Sequence, residues 1–271
     1  MKITSGHLMA LVLVLLIVWA FVSSPAPLPD SETTSADASI PIRQVLETIA
    51  AENDIVRTLY TKSIVGTGKK VGLRFDEDWK DENVQAGPLP ALFLREAANS
   101  IEIDPIPLGL FLGSHQPIAR SNQFSGSQAP IFAKVLENRS AEHFYDGTTG
   151  RWTAMFPDFA SVMACVNCHN DHPDSPKKDW ALNDVMGATT WSYPREHVSS
   201  TEYLDIIRAV RAGFRDAYLG YLTEVQSFDE KPEVGQRWPS DGFAIPDEAT
   251  FMTEFKRLAS AATIDRLIEQ P

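Results

Sequence analysis

Cysteine is nearly absent from this chain. Cys165 and Cys168 are the only two in 271 residues, so a disulfide scaffold is excluded, and a bridge between them would close too short a loop to stabilise much. Basic residues are in deficit as well: 24 Lys and Arg face 36 Asp and Glu, a net charge of −12. A chain of that sign repels phosphate backbones and anionic headgroups. This argues against nucleic acid as a partner and against membrane docking through surface charge. Long apolar runs are scarce too, and residues 8–22, "LMALVLVLLIVWAFV", form the only one. A phosphate-binding loop is lacking: around "GTGKKVG" (residues 66–72), Ser63 and Lys70 stand where such a loop needs Gly and Ser or Thr. No internal repeat and no acid/base or nucleophile constellation emerges, so the sequence reads as a non-enzyme.

What remains is enough for a folded domain. Hydrophobic residues make up 44% and charged residues 22% of the chain, the balance of a protein with a real core. Residues 1–23 read as a membrane anchor, with a cleaved signal segment as the alternative, since Ser23-Ser24-Pro25 makes a poor cleavage site. Lys2 on the short side favours an exported domain, held at the inner membrane and facing the periplasm. Residues 24–39, rich in Pro, Ser, Thr and Asp, read as a flexible linker. A domain is expected over residues 40–198 and a helical extension over 199–271. The periodicity predicts a helix over about 40–65, with Ser39 as N-cap, stopped by the glycines of 66–72. Further helices are expected over 87–101 and 129–138, then one opened by the capping box Ser199–Glu202, and a last one near 247–268. Strands are expected at 106–113, in a hairpin over 142–157, and at 184–193. That order gives an α+β fold.

The chemistry concentrates at Cys165-Val166-Asn167-Cys168-His169. In a Cys-x-x-Cys-His segment the two thiols add across the vinyl groups of haem, and the adjacent histidine ligates the iron. Such attachment takes place outside the cytoplasm, in accord with the export segment. Two rivals share the pattern. A zinc site could count Cys165, Cys168, His169 and His172, but all four would crowd into eight residues rather than forming two separated pairs. A thiol redox pair needs a strand and then a helix opening at the first cysteine, and "PDFASVMA" is not a clear strand. Covalent haem c is the expectation.

The stretch "CVNCHNDHPDSPKKDWALNDVMGA" resembles the PAS-like sensor domains that carry a c-type haem. These occur alone or fused to bacterial histidine kinases, chemoreceptors and nucleotide cyclases. Residues 183–188 are similar to the family's "GDVxGA" strand, with Asn183 in place of its first glycine, and residues 57–66 and 87–98 are similar to its first helix and second-helix entry. The resemblance covers about residues 40–193. It implies a PAS-like antiparallel sheet with flanking helices, haem on Cys165 and Cys168, and His169 as proximal ligand. Some family members take the sixth ligand from a first-helix cysteine, and this chain has no third cysteine. Met155, His115, His143, Met163, His172, Tyr60 and Lys62 are the candidates, and Met155 and His115 are carried forward as metal ligands. Arg120, Lys177 and Lys178 are candidates for pairing with the haem propionates. Trp180 and Trp191 are candidates for the haem edge. The implied function is sensing redox state or a small gas and signalling through a partner protein. The alternative is an electron-transfer cytochrome or the haem subunit of a membrane oxidoreductase.

Overall fold

The computed structural model of the protein describes residues 12–16, 18–19 and 39–269, with side chains as far as 260. Residues 1–37 and 38–271 form two separate units. In the first, the described residues are helical, and the expected anchor otherwise lies outside the described residues, as does the linker up to residue 38. Among the described residues no helix is long and apolar enough to cross a membrane, so the membrane helix read from the sequence gains no support.

The second unit is α+β. It opens with β1 (Ile40–Pro41), α1 (Ile42–Leu59), a π-helical segment (Tyr60–Val65) and α2 (Gly66–Lys70). Then come the short β2 (Phe75–Asp76) and β3 (Gly87–Pro88), α3 (Pro90–Glu102), β4 (Gly109–Gly113) and α4 (Gln128–Asn138). The hairpin β5 (Glu142–Asp146) and β6 (Arg151–Phe159) leads to α5 (Met163–Asp171), β7 (Val185–Tyr193) and β8 (His197–Val198). The long α6 (Ser200–Ser227) and α7 (Glu248–Glu269) close the chain. The main sheet runs β4-β7-β6-β5 and every pairing in it is antiparallel.

Period-two alternation assigns the two faces of that sheet. Ala154, Trp191 and Tyr193 join the main core with α1, α3 and α6. Met155 and Ala188 point the other way, into a smaller cluster with Phe132 and Val135 of α4. At Gly187 a Cβ would come within 2.5 Å of the Gly113 carbonyl oxygen on β4, so a side chain there would push the central strands apart. Asn183, which leads into β7, has φ of +69°. Asparagine tolerates that left-handed region better than most residues, which explains why it can stand where a glycine is expected.

Two expectations at the first helix are corrected. Ser39 is not its cap: Pro41 occupies the N-cap position with no side-chain hydrogen bond. Instead Ile40 and Pro41 pair with Val198 and His197, bringing the start of the domain to the exit of β7. The stretch 66–72 does end the helix, but later than the expected limit near residue 65. The chain stays helical through Lys70 and turns at Gly72, whose φ is +91°. Between α1 and α2 the helix widens to a π-turn over Tyr60–Val65, a local feature often found near functional sites.

The capping box is as read: the Glu202 amide donates to Ser199 Oγ at 3.1 Å. Its helix, α6, is built into the main core through Ile206, Val210, Phe214, Tyr218 and Tyr221. Glu52 of α1 is 2% exposed and receives both ends of the Arg211 guanidinium from α6. Tyr60, Phe93, Phe251, Tyr218 and Tyr221 close an aromatic circuit among the π-segment, α3, α7 and α6. Tyr60 stacks on Phe93 at 4.3 Å, Tyr218 stacks on Phe251 at 3.9 Å, and edge contacts complete the ring.

Candidate cofactor site

Helix α5 carries Cys165, Cys168 and His169 at positions i, i+3 and i+4, which share one helix face. Both thiols are free; Cys165 is half-buried and Cys168 exposed. β6 runs to Phe159, so a strand does precede this helix, contrary to the reading of "PDFASVMA". That setting also suits a thiol redox pair. However, burial and the nearby Glu77 carboxylate raise the Cys168 pKa above its ordinary value, with Lys69 opposing. A raised pKa leaves less of Cys168 as thiolate, the reactive form.

The short α5 has a small core of its own, in which Ala160, Val166 and Trp180 pack with Cys165 and Met186. Its return loop is held by Asn170, which sequence reasoning passed over. Asn170 Nδ2 donates to the Trp180 carbonyl at 3.0 Å, and the Trp180 amide donates to Asn170 Oδ1 at 2.8 Å. This pair of hydrogen bonds ties the far end of the loop, at Trp180, back to the helix. The only sequence signal for it was an Asn immediately after the motif histidine.

His169 is partly buried, with Trp180 edge-on at 6.4 Å. Burial, with a smaller push from His172, lowers its pKa. The imidazole is therefore neutral near pH 7, the form that ligates metals. Its Nδ1 is buried without a hydrogen-bond partner. An orphaned ring nitrogen costs about 1–3 kcal/mol in a site that serves folding alone. The cost is understandable where the ring's position is dictated by a ligand.

Both ring nitrogens of His172 are taken up by other partners. Its Nδ1 accepts from the Asp174 amide at 3.1 Å and its Nε2 faces Glu77 Oε1 at 2.9 Å. Since Nδ1 is the acceptor, Nε2 carries the proton and donates to Glu77. Among the described residues no group of three or more His, Cys, Asp or Glu side chains is arranged to hold a metal ion, so the zinc reading finds no geometry to support it.

Arg57, in the last turn of α1, feels the charge of Cys165, and Lys69 of α2 acts on Cys168. Arg57 Nη1 donates to Asp158 Oδ1 at 2.5 Å and Nη2 donates to Thr189 Oγ1 at 2.8 Å. Thr189 Oγ1 lies 3.0 Å from each Asp158 carboxylate oxygen. Burial alone would lower the Arg57 pKa, but the Asp158 carboxylate more than offsets it and the net shift is upward. This triad of Arg57, Asp158 and Thr189 was not singled out from the sequence, because its members lie 101 and 132 residues apart.

The other candidates divide. Lys177 comes to the site: its ammonium lies 4.7 Å from the Trp180 ring centre and pairs with Asp179. Lys178 is beside it and donates to the His172 carbonyl. His115 is a neighbour of Lys177, since partial burial and then the Lys177 charge lower its pKa; its ring lies tilted 5.4 Å from Phe132. Arg120 is exposed in a short 3₁₀ turn with no described contact to α5. Met155 is fully buried in the cluster under α4 and fills that core rather than joining Cys165 and Trp180. His143 pairs with Glu47 at 3.2 Å, and Tyr60 donates to the Pro88 carbonyl at 2.8 Å, both turned to other tasks. Trp191 is wholly buried in the main core, while Trp180 sits at the site. Met163 and Lys62 are exposed.

Comparison with protein-family models, with curated proteins and with solved structures finds no match to this chain.

Proposed function

We propose that this chain binds one haem covalently through Cys165 and Cys168, with His169 as the axial ligand, and that it acts as an extracytoplasmic sensor of redox state or of a small gas. The observation that carries the reading is α5 itself: two accessible free thiols and a neutral imidazole on one face of one helix. Haem held there would supply a redox-active iron. The residues present fit that group. Phe159, Met163 and Leu182, in or flanking α5, are 39%, 54% and 47% exposed and offer an apolar rim for a porphyrin. Lys177 and Lys178 lie close enough to the helix to meet carboxylates. The antiparallel sheet with helices on both faces accords with a PAS-like domain.

Sensing is favoured over electron carriage by what lies behind the site. The π-segment begins at Tyr60, three residues after Arg57, and Tyr60 packs directly on Phe93 and Tyr221. A shift of that segment reaches α6 and α7 through close-packed rings, and those helices are the surface on which a partner protein would read it. The second reading, a tethered electron carrier or an oxidoreductase subunit, is favoured by the exposed apolar rim, which also suits a redox partner.

The test is the chain produced in a host able to attach haem c. The expected product is coloured, keeps its pigment in acidified organic solvent, and gives a pyridine haemochromogen spectrum of the c type. The variant with Cys165→Ser and Cys168→Ser together releases the pigment. A colourless wild-type chain refutes the proposal. A six-coordinate spectrum unchanged on oxidation, on reduction and under CO refutes sensing and leaves the electron carrier.

A further inference from the structure

A cavity of about 530 Å³ lies between the turn that follows α2 and the segment that follows α6, and the haem reading makes no use of it. None of its lining residues belongs to α5 or to the loop after that helix. One wall is formed by residues 71–74 with Asn83 and Gln85, the other by residues 228–232. Gln85 ties the two walls together. Its Nε2 donates to Asp229 Oδ2 at 2.6 Å, and the Asp229 amide donates to Gln85 Oε1 at 2.8 Å. The lining divides by chemistry. Phe228 and Leu73 belong to the main core, while Val71 is 62% exposed, so an apolar strip runs from the core to water. Three charged side chains also line the cavity, Arg74, Lys231 and Glu230. Among the described residues the side chains of Lys231 and Glu230 make no hydrogen bond or ion pair. Arg74 is 63% exposed, and its guanidinium makes one contact, Nη2 donating to Asp76 Oδ2 at 3.2 Å. Most of its five donors are thus free for a ligand.

We propose that this cavity binds a small apolar zwitterion of the α-amino-acid class. Arg74 and Lys231 donate to its carboxylate, Glu230 accepts from its ammonium, and its side chain covers Val71, Leu73 and Phe228. The charge set decides the class. A plain organic anion would bring its carboxylate toward Glu230, and a plain amine would meet two cations, so each is opposed by a like charge. A molecule that carries both charges and an apolar group satisfies the whole lining. The volume lies within the range of small-molecule sites and has room for a branched or aromatic side chain.

Isothermal titration calorimetry on the full chain tests the site, with L-leucine as the probe. Two analogues each lack one charge: 4-methylpentanoate has no ammonium and L-leucinamide has no carboxylate. The expected result is a Kd of about 1 mM or tighter for L-leucine, and binding weaker by about 10-fold for each analogue, the factor that one charge-assisted hydrogen bond supplies. Glu230→Gln should weaken L-leucine by about 10-fold and bring it level with 4-methylpentanoate. Lys231→Met should weaken L-leucine and leave L-leucinamide no weaker. Both side chains are exposed, so both variants should keep the wild-type circular dichroism and Tm. Absence of heat with L-leucine overturns the proposal, and so does either analogue binding as tightly as L-leucine. L-leucine binding that either substitution leaves unchanged also overturns it, because the ligand then sits elsewhere on the chain. The readout is binding rather than colour, so a colourless chain that binds L-leucine in this pattern refutes the haem reading alone and leaves this site standing.

Discussion

Glu52 and Arg211 tie the helix that carries Arg57 to the long helix that leaves the sheet, and their replacement tests whether that tie is as enclosed as it looks. The carboxylate is 2% exposed and takes two hydrogen bonds from the Arg211 guanidinium. Arg211→Ala leaves a buried carboxylate with no counter-charge, a loss worth about 3–5 kcal/mol when both ions are enclosed. The Arg211 side chain is 30% exposed, so solvent screens the pair in part and the lower end applies, about 3 kcal/mol. For a domain of this size that is a fall in Tm of about 6–12 °C. Urea unfolding followed by circular dichroism, with the slope checked for constancy, measures it. The companion variant, Glu52→Leu with Arg211→Met, removes both charges and fills the space, and should return stability to near the wild-type value. A loss below about 1 kcal/mol for Arg211→Ala would show an ordinary surface pair. A double variant as unstable as the single one would show that Arg211 acts by packing rather than by charge. Either result would refute the reasoning.

Two further outcomes follow from the same contacts. Asn170→Ala deletes both hydrogen bonds of the clamp on Trp180, at a cost of about 1–3 kcal/mol. Hydrogen exchange in residues 171–180 should accelerate and the fraction of chains loaded with haem should fall, whereas unchanged exchange would mean that the loop is held by other means. His143 has its pKa lowered from 6.5 by burial and Arg43, against the pull of Glu47. The unfolded chain therefore takes up this proton first. The stability that His143 contributes is complete above about pH 6.5 and is lost as the pH falls toward the depressed folded value. His143→Gln cannot titrate, so urea midpoints measured between about pH 7 and pH 5 should fall less steeply than in the wild type.

Much of the architecture was legible because the signals were local. The hairpin around Asp146-Gly147 and Gly150, the strand ending at Tyr193 and the Ser199 capping box all depend on neighbours within a few residues, and each stands where the periodicity placed it. The first helix was misread at its start for the same reason in reverse. Ser39 had the chemistry of a cap, but pairing with β8, which lies far along the chain, decided where the helix begins. The stop at residues 66–72 is real, but it falls at the end of that stretch: the chain is helical through Gly66 and Gly68 as far as Lys70 and turns at Gly72.

The residues that make the candidate site were legible in the sequence alone, because two thiols and an imidazole at that spacing are a local pattern. Which residues surround them was decided only by tertiary structure. Arg57, Asp158 and Thr189 come from three different elements, and no spacing in the sequence predicts that a helix end and two strands will converge on one hydrogen-bonded triad. Met155, attractive as a ligand by chemistry, was assigned to the opposite face by the parity of a β-strand once β6 was seated between β5 and β7. Side-chain chemistry is a property of each residue, but direction and neighbourhood belong to the packed chain.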